Sequence, residues 1–367
     1  MKRELNALMV TGGSGFIGSN FIRFMLYNPG FQGKIINVDR LTYAGNPANL
    51  RDIEAEFQNK RYFFEQEDIC DSERMAQLIS KYQIDTIVNL AAESHVDRSV
   101  YGPAEFIRTN INGTFNLLEA ARKEWAGHVK SDGTGSEYNG KLFHQVSTDE
   151  VFGSLEQQGR FSEKSPYDPH SPYSASKAAA DHVVRASFHT FGLPVTISNC
   201  SNNYGPFQFP EKMIPLMLFN ILDEKPLPVY GDGSNVRDWI YVEDHVRGIW
   251  LILQHGRAGE SYNLGGDSEL DNLTLVRRLC RKVAQRTGRD PEDYFRLIEF
   301  VKDRPGHDHR YAIDSGKIEA ELGWHCDTDF EKGIELTIDW YLNHREWTDQ
   351  IRKQEYRNWI QQNYTRR

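Results

Sequence analysis

Cysteine is scarce in this chain of 367 residues, which has four of them, far apart at positions 70, 200, 280 and 326. Such spacing excludes the paired cysteines of a zinc site and a dense disulfide framework, and it favours free thiols in a reducing compartment. Positive charge is also in deficit, because 43 Lys and Arg residues face 52 Asp and Glu residues and leave a net charge of −9. A nucleic-acid-binding protein would carry a basic surplus instead.

Long apolar runs are missing as well. No uninterrupted stretch approaches the roughly 18 apolar residues that a transmembrane helix needs. The first residues, MKRELNALMVTGG, contain no apolar segment of signal-peptide length. We therefore expect a cytoplasmic protein with no membrane and no nucleic-acid partner.

Short apolar runs alternate with helical patterns through the first half of the chain, which is typical of βαβ units and a parallel sheet. We predict strands at residues 7–10, 34–38, 61–65, 86–90, 142–146 and 195–199, and helices at 19–27, 72–81 and 112–125. This order predicts an α/β fold with a Rossmann-type, doubly wound parallel sheet. The polar, glycine-rich segment 126–140 interrupts the rhythm and predicts a mobile surface loop.

The second half of the chain has a different composition and pattern of predicted elements. Proline-containing loops and further helices at 242–254, 274–287 and 330–343 predict a smaller α/β lobe after residue 200. We divide the chain into a Rossmann domain at 1–200, to which some later segments return, a lobe formed mainly by 201–343, and a C-terminal extension at 344–367. The extension is charged and aromatic, and its sequence indicates no function.

A glycine motif follows the first predicted strand, where the segment TGGSGFIGS places Gly12, Gly15 and Gly18 directly before a helix. Glycines at this spacing allow a tight turn, so that backbone amides at the helix N-terminus approach a pyrophosphate. Asp39 ends the second predicted strand about 20 residues further on, where a carboxylate accepts hydrogen bonds from adenosine ribose hydroxyls. Because that carboxylate would repel a 2′-phosphate, NAD is favoured over NADP, and Arg40 keeps NADP open as the alternative.

Asp68 and Ile69 follow the third predicted strand in the segment EDIC. Their place after a strand of the same sheet predicts a contact with adenine. The alternative is that Asp68 caps the helix that begins after Asp71, and the local sequence favours neither.

Tyr173 and Lys177 lie four residues apart in the segment YSASK at the start of a predicted helix, so both side chains project from one face. A phenol has an unperturbed pKa of about 10, and a neighbouring ammonium favours the phenolate, so the pair is a candidate base for a sugar hydroxyl. Thr148 lies upstream at a predicted strand end. YxxxK alone is common on surface helices, but after a Rossmann glycine turn it predicts hydride-transfer chemistry.

Six segments, in order along the chain, carry a family resemblance: AAESHVDRS (91–99), STDEVFG (147–153), SPYSASKAAAD (171–181), SNNYGPFQFPEK (201–212), VYGDGSNVRDWIYVEDH (229–245) and DRPGHDHRYAID (303–314). With them the chain resembles the dTDP-glucose 4,6-dehydratases of the extended short-chain dehydrogenase/reductase family, as far as about residue 343. The resemblance implies a lyase with tightly bound NAD that converts dTDP-glucose to dTDP-4-dehydro-6-deoxy-glucose and water in deoxysugar or rhamnose biosynthesis. It also implies a homodimer, for which helices near 105–124 and 174–191 are candidates.

Two acids, Asp149 and Glu150, directly follow Thr148 in the segment STDE. Oxidation or reduction of an alcohol needs only Tyr173 and Lys177, whereas removal of water across C5 and C6 of a hexose needs an acid and a base. In the reaction that the resemblance implies, Tyr173 takes the C4 hydroxyl proton while hydride passes to NAD, and Thr148 holds that hydroxyl. Glu150 then removes the C5 proton, Asp149 protonates the departing C6 hydroxyl, and hydride returns to C6. The alternative is that both acids merely cap the following turn.

The resemblance carries further residues over as ligand contacts. Those for NAD are Gly12, Gly15, Phe16, Ile17, Gly18, Asp39, Arg40, Leu41, Thr42, Asp68, Ile69, Leu90, Ala91, Ala92, Ser94, Thr109, Tyr173, Lys177 and Asn203. Those for the nucleotide sugar are Ser94, Thr148, Asn202, Lys212, Met213, Pro228, Tyr230, Arg237, Asn272, Arg304 and His307. Arginine offers a planar fork of donors, so Arg237 and Arg304, with His307, are expected on the diphosphate. No group of histidines and cysteines has the spacing of a zinc site, and we predict no metal.

Other functions remain open at this point. A nucleotide-sugar epimerase or decarboxylase of the same fold would share the glycine turn and YSASK but lack the adjacent acids. A catalytically silent NAD-binding regulator would have lost Tyr173, Lys177 or the acids. The nucleotide base is open too, because thymidine, uridine, cytidine and guanosine donors all offer the same diphosphate, so another nucleotide-sugar 4,6-dehydratase is a further alternative.

Overall fold

The structure, a computed structural model, describes residues 2–126 and 138–351. Most of the predicted loop at 126–140 and most of the predicted C-terminal extension therefore lie outside the described residues. All four cysteines lie within them as free thiols, of which Cys200 and Cys280 are buried.

The described residues form twelve strands, in two small sheets and one large one. In chain order they are β1 (Ala7–Thr11), β2 (Lys34–Val38), β3 (Tyr62–Glu65), β4 (Thr86–Asn89), β5 (Leu142–Thr148), β6 (Val195–Cys200), β7 (Asn202–Tyr204), β8 (Leu227–Tyr230), β9 (Val236–Tyr241), β10 (Ser261–Leu264), β11 (Glu269–Asp271) and β12 (Ile298–Val301). The large sheet has seven parallel strands in the order β10-β6-β5-β4-β1-β2-β3. All six predicted strands are present, and the predicted Rossmann-type fold is confirmed.

Helices alternate with these strands. They are α1 (Phe16–Tyr27), α2 (Arg51–Phe57), α3 (Ser72–Tyr82), α4 (Val96–Tyr101), α5 (Pro103–Phe106), α6 (Thr114–Trp125), α7 (Pro172–Phe191), α8 (Met213–Leu222), α9 (Val242–His255), α10 (Asn272–Thr287), α11 (Pro291–Phe295), α12 (Gly316–Leu322), α13 (Phe330–Asn343) and α14 (Arg345–Ile351). A π-helical segment, Ile107–Gly113, joins α5 to α6, and a single 3-10 turn, Asp149–Phe152, follows β5. None of the helices in the described ranges is both long and apolar enough to span a membrane.

The large sheet is covered on both faces, which is why its central strands are buried along their whole length. Side chains alternate between the two faces of a strand. Met9 of β1 therefore packs in a cluster with α3 and α6, whereas Leu8 and Val10 pack in another with α1 and α9. The result is a three-layer arrangement that leaves the carboxyl ends of the strands accessible.

A second core lies beside this sheet. It is built from α8, α10 and α13 around Tyr204, Trp239 and Tyr241, with β7, β9 and β11 as a three-stranded sheet and β8 paired with β12. Because β7 follows β6 after a single residue, and β9 leads directly into α9, the chain crosses repeatedly between the two cores. β10 returns to the edge of the large sheet beside β6.

The start of the C-terminal extension packs against residues from both halves of the chain. Trp347 of α14 is buried, and its indole nitrogen donates to Oδ1 of Asn49 at 2.7 Å. The ring of Trp347 also packs against Trp340 and Phe207. Residues 344–351 therefore join parts of the chain that are far apart in sequence.

Candidate active site

A cavity of about 290 Å³ opens at the carboxyl ends of β1, β4, β5 and β6. It lies where the strand order reverses between β1 and β4, the place at which open α/β sheets bind ligands. Among the residues predicted to contact NAD, all except Leu41 line this cavity. The contact predicted for Leu41 stays a prediction; its amide nitrogen donates to Oδ1 of Asp39 at 2.8 Å, so its backbone shapes the turn after β2.

The glycine turn forms one wall of the cavity. Gly12 has a φ of +67°, and a Cβ atom there would lie 2.8 Å from the backbone of Ala91. A Cβ on Gly18 would lie 2.3 Å from the carbonyl oxygen of Gly12. The turn and the start of α1 thus pack backbone against backbone and leave amides free to face a ligand, which fits a dinucleotide pyrophosphate.

Asp39, at the end of β2, lines the cavity next to the glycine turn, where the ribose of a dinucleotide is expected. It is buried, and its second oxygen, Oδ2, accepts a hydrogen bond from the Ser14 amide at 2.9 Å. Arg40 beside it is half exposed and lies 3.5 Å from Asp68 Oδ2. Since Arg40 is already paired, a 2′-phosphate would have to compete with Asp68 and face Asp39, which favours the cofactor without that phosphate.

Asp68 does not cap α3, so that alternative is wrong. The cap is Asp71, whose side chain accepts from the Arg74 amide. Asp68 instead accepts from Arg108 at 2.6 Å and from the amide of Cys70, and it lines the cavity. Arg108 comes from the π-helical segment, which is a frequent feature of functional sites.

Tyr173 and Lys177 are buried at the start of α7, which begins with Pro172 and a reciprocal capping pair, Ser171 and Ser174. The expectation that Lys177 lowers the pKa of the phenol is not met in the protein by itself. Burial, and then the nearby Glu150, raise the pKa of Tyr173 well above its ordinary value. The Lys177 ammonium donates to the carbonyl of Val146 at 2.7 Å rather than to the phenol.

Thr148, Asp149 and Glu150 sit where β5 ends at the cavity floor. Thr148, rather than either acid, caps the 3-10 turn, because its hydroxyl oxygen accepts from the Glu150 amide at 3.3 Å. The same hydroxyl donates to Oδ1 of Asp149 at 3.2 Å, and Oδ2 of Asp149 has no hydrogen-bond partner among the described residues. Both acids line the cavity, so the capping alternative for them is wrong.

The two acids differ in their electrostatic surroundings. Burial, together with the adjacent Glu150, raises the pKa of Asp149 well above its ordinary value. Burial also raises the pKa of Glu150, but Arg304, Arg237 and Lys212 oppose that rise. When two neighbouring carboxyl groups have unequal electrostatic surroundings, their pKa values move apart, and one acts as an acid and the other as a base. Here Asp149 is the partner that favours the protonated form.

A second cavity of about 160 Å³ adjoins the first, and Glu150, Glu211 and Lys212 line both. Seven predicted substrate contacts line the second cavity alone: Met213, Pro228, Tyr230, Arg237, Asn272, Arg304 and His307. The other four, Ser94, Thr148, Asn202 and Lys212, line the first. The structure therefore brings every predicted substrate contact to one continuous site, with Glu150 at the junction.

The cations of the second cavity are held in place by the protein. The Arg237 guanidinium donates to the carbonyls of Val236, Asp308 and His309 at 2.7 to 3.2 Å and lies 4.3 Å from the centre of the Tyr311 ring. Lys212 donates to the carbonyl of Ser94 at 2.7 Å. These cations face a space that suits a diphosphate.

Comparison with known proteins identifies the family. A family model described as GDP-mannose 4,6 dehydratase matches residues 9–337. The probable dTDP-glucose 4,6-dehydratase of Sinorhizobium fredii is 51% identical over 352 residues, 95% of this chain and 96% of that protein. The dTDP-glucose 4,6-dehydratase 1 of Escherichia coli is 48% identical, with 97% and 98% of the two chains covered. The chain belongs to the dTDP-glucose 4,6-dehydratase family.

Solved structures agree with this family membership. DesIV of Streptomyces venezuelae, a dTDP-glucose 4,6-dehydratase solved with NAD and TYD bound, is 44% identical and superimposes with a TM-score of 0.84, covering 94% of this chain and 99% of DesIV. The UDP-glucose 4-epimerase of Thermotoga maritima, at 27% identity and with 92% and 99% covered, reaches 0.78. Epimerases therefore share the fold, and the fold alone does not distinguish the two reactions.

Two carboxyl groups of the site escaped the sequence analysis. Asp97 and Glu211 line the second cavity, and burial raises the pKa of Glu211 to about 7. Both lie inside quoted motifs, AAESHVDRS and SNNYGPFQFPEK. The available signal was an acidic residue inside each of these motifs. Only the fold shows that Asp97 faces Arg304 and that Glu211 faces Arg98.

Proposed function

We propose that the chain binds NAD and converts dTDP-glucose to dTDP-4-dehydro-6-deoxy-glucose and water. The observation that carries this proposal is the position of two adjacent acids: Asp149 and Glu150 both line a cavity shaped for a dinucleotide, and Glu150 also lines the adjoining cavity with its arginines. An enzyme that only moves a hydride has no use for two adjacent acids in such a place.

NAD fits the first cavity because the glycine turn leaves room for a pyrophosphate and Asp39 lies where ribose hydroxyls are held. Relatives solved with NAD, such as DesIV, support the assignment. Bound NAD would supply a cationic ring that takes hydride from C4 of the sugar and returns it to C6. All other steps fall to side chains of this chain.

Tyr173 accepts the proton of the C4 hydroxyl, and the Thr148 hydroxyl holds the same oxygen. Burial and Glu150 raise the pKa of Tyr173, so the phenolate depends on positive charge next to the ring. Lys177, one helical turn away, would supply part of that charge, and bound NAD would add the charge of its ring. The C4 ketone that forms makes the C5 proton acidic.

Glu150 and Asp149 then remove water across C5 and C6. Glu150 takes the C5 proton, and protonated Asp149 delivers its proton to the C6 hydroxyl, which leaves as water. After hydride reaches C6, the proton held by Glu150 returns to C5. Asp149 ends the cycle one proton short, while Tyr173 holds the proton that it took from the C4 hydroxyl. When the C4 ketone product and water leave, Tyr173 releases a proton and Asp149 takes one up, so the cycle closes without a net gain or loss of protons.

The proposal is tested with purified protein and dTDP-glucose, without an added reductant. We expect a product lighter by one water and no net reduction of the cofactor. Product of unchanged mass, or accumulation of reduced cofactor equal to the sugar consumed, would contradict the proposal. UDP-glucose and GDP-mannose in parallel reactions test the base, and we expect dTDP-glucose to give the highest kcat/KM.

We also propose a cytoplasmic homodimer in which α6 and α7 pair with their copies. Val100, Tyr101, Ile107, Phe115 and Phe191 of the α4 to α7 region are each between 40% and 67% exposed. Apolar side chains in such numbers on one group of helices favour a contact surface. Four free thiols suit a reducing compartment.

A further inference from the structure

Behind Lys177, on the side away from the cavities, lies a buried acid with no role in the mechanism above. Asp181 follows Lys177 by one turn of α7 and has 0% of its surface exposed. Its Oδ2 accepts hydrogen bonds from the hydroxyl of Ser147 at 2.6 Å and from the hydroxyl of Tyr167 at 3.0 Å. Residues four apart on a helix project from the same face, so Asp181 and Lys177 lie on one face of α7, although the Lys177 ammonium makes its hydrogen bond to Val146 and no direct ion pair with Asp181.

The charges around this pair are few. On α7 they are Lys177, Asp181 and Arg185, and Arg185 donates to the Tyr167 hydroxyl at 3.1 Å. His182 of the same helix stacks obliquely on the Tyr167 ring. From β5 and β6, Ser147 and Cys200 face the pair.

Lys177 needs a counter-charge because it is buried. Burial lowers the pKa of Lys177, and Asp181 and Cys200 are the groups that raise it. Burial raises the pKa of the Cys200 thiol to about 12, so Cys200 carries no charge near neutral pH. Of the described groups that raise the pKa of Lys177, Asp181 is the carboxyl group and the more acidic of the two, so it is the candidate counter-ion.

The hydrogen bonds to Asp181 favour its charged form. Burial raises its pKa, and Lys177, Ser147, Tyr167 and Arg185 all oppose that rise. Ser147 directly precedes Thr148 in β5, so the strand that delivers the catalytic threonine also holds the carboxylate. The carboxylate is therefore fixed between the strand and the helix that together form the site.

We propose that Asp181 is a positioning residue that keeps Lys177 protonated and thereby keeps a positive charge beside Tyr173. The inference rests on the proposed function, since Lys177 matters there as an ammonium. Removing the carboxylate leaves a buried lysine whose neutral form is favoured by desolvation. The ammonium is then lost as pH rises through the lowered pKa of Lys177, and the site fails at high pH first.

The test is Asp181→Asn, which preserves the shape and can still accept from Ser147 and Tyr167. For C4 oxidation and for dehydration, we expect the basic limb of the pH profile to move toward acid by about 1 to 3 pH units, the range for an opposite charge at close distance. Below that limb the variant approaches the wild-type rate. Tyr167→Phe is the matched comparison: it removes one hydrogen bond to Asp181 but leaves the carboxyl group in place, so its basic limb should move less than that of Asp181→Asn.

A direct measurement does not depend on turnover. The Cε resonance of Lys177, labelled with carbon-13 and assigned by its loss in Lys177→Met, reports the protonation of the ammonium in the folded protein. We expect it to titrate at lower pH in Asp181→Asn than in the wild type. If Asp181→Asn does not fold, Asp181→Ser is measured in the same way.

Two results would overturn the proposal. One is an unchanged Lys177 titration in the variant, and the other is a loss of rate equal at every pH, which is the signature of a merely structural residue. Failure of the wild-type protein to dehydrate dTDP-glucose would contradict the proposed function instead, and the carbon-13 titration distinguishes the two failures.

Discussion

The hydroxyl of Tyr230 donates a hydrogen bond of 2.9 Å to Oδ2 of Asp97. The other oxygen of this buried carboxylate lies 3.6 Å from Nη1 of Arg304. One acid therefore holds two predicted substrate contacts that come from β8 and from the loop after β12. It also offsets the positive charge of the second cavity before a diphosphate arrives.

Asp97→Ala is expected to lower the free energy of unfolding of the ligand-free protein by about 2 kcal/mol, because it leaves the partly buried Arg304 without this charged neighbour. A diphosphate would restore part of that loss by neutralising Arg304. Urea unfolding with and without excess dTDP measures both effects. An equal loss of stability in the two conditions would show that Asp97 and the diphosphate do not share Arg304.

The two acids after Thr148 are separable by substitution. Glu150→Gln should abolish exchange of the C5 hydrogen with solvent deuterium, and Asp149→Asn should retain that exchange but slow the loss of water. Each dehydration rate should fall by about 10² to 10⁴, while C4 oxidation persists. Mass spectrometry of the sugar in deuterium oxide measures both steps.

Glu156→Gln provides the matched control for these substitutions, because Glu156 is exposed and lines neither cavity. Its exchange and dehydration rates should equal those of the wild type. Dehydration at the wild-type rate by both Asp149→Asn and Glu150→Gln would contradict the assignment of these residues as acid and base.

The raised pKa of Asp149 also has a consequence for stability. A carboxyl whose pKa is higher in the folded than in the unfolded state keeps its proton on folding, so the folded state loses stability as pH rises above the unfolded pKa. Asp149→Asn removes this cost. The variant should therefore gain stability over the wild type between pH 5 and pH 7, by up to about 1.4 kcal/mol per pH unit, although it is inactive in dehydration.

Denaturant unfolding at pH 5, 6 and 7 checks this expectation. Glu156→Gln again serves as the control, since an exposed carboxyl has no such desolvation cost. A stability difference between Asp149→Asn and the wild type that is independent of pH would mean that Asp149 is not protonated in the folded protein.

The sequence predicted most of the large sheet because its central strands are short apolar runs between helices with a clear 3.6-residue period. It also predicted the catalytic groups, since Tyr173, Lys177 and the acids after Thr148 are tied to the ends of those elements. The α14 helix escaped prediction because the burial of Trp347 depends in part on Asn49 and Phe207, which lie nearly 300 and 140 residues away in the sequence.

Electrostatics was the less predictable part of the site. From sequence, Lys177 next to Tyr173 suggests a lowered phenol pKa. In the fold, Lys177 donates to Val146 and burial acts on the phenol more strongly. The hydrogen-bond partner of Lys177 and the burial of the phenol depend on how strands and helices pack. A spacing of four residues in the sequence does not determine either of them.

The glycine turn tolerates no side chain at its last glycine. A Cβ on Gly18 would lie 2.3 Å from the carbonyl oxygen of Gly12, so Gly18→Ala must push α1 away from the turn. We expect the purified variant to retain less than about a tenth of the wild-type NAD, a loss of at least 1.4 kcal/mol in binding. Gly102→Ala is the control, because the nearest atom to its Cβ is 3.9 Å away. Wild-type NAD content in Gly18→Ala, measured by chromatography after denaturation, would contradict the placement of the pyrophosphate at this turn.

The exposed face of α6 tests the proposed dimer. Phe115 is 50% exposed, and a symmetric interface brings any substitution there into contact twice. Phe115→Lys would bury two ammonium groups and should weaken association by about 3 kcal/mol, roughly a hundredfold in Kd.

Phe300→Lys is the matched control, because Phe300 is 58% exposed on β12, outside α4 to α7. In sedimentation equilibrium the wild type and Phe300→Lys should have twice the 42.4 kDa mass of one chain, and Phe115→Lys should approach that single-chain mass. A wild type of single-chain mass, or a Phe115→Lys variant that associates as tightly as Phe300→Lys, would place the contact surface elsewhere.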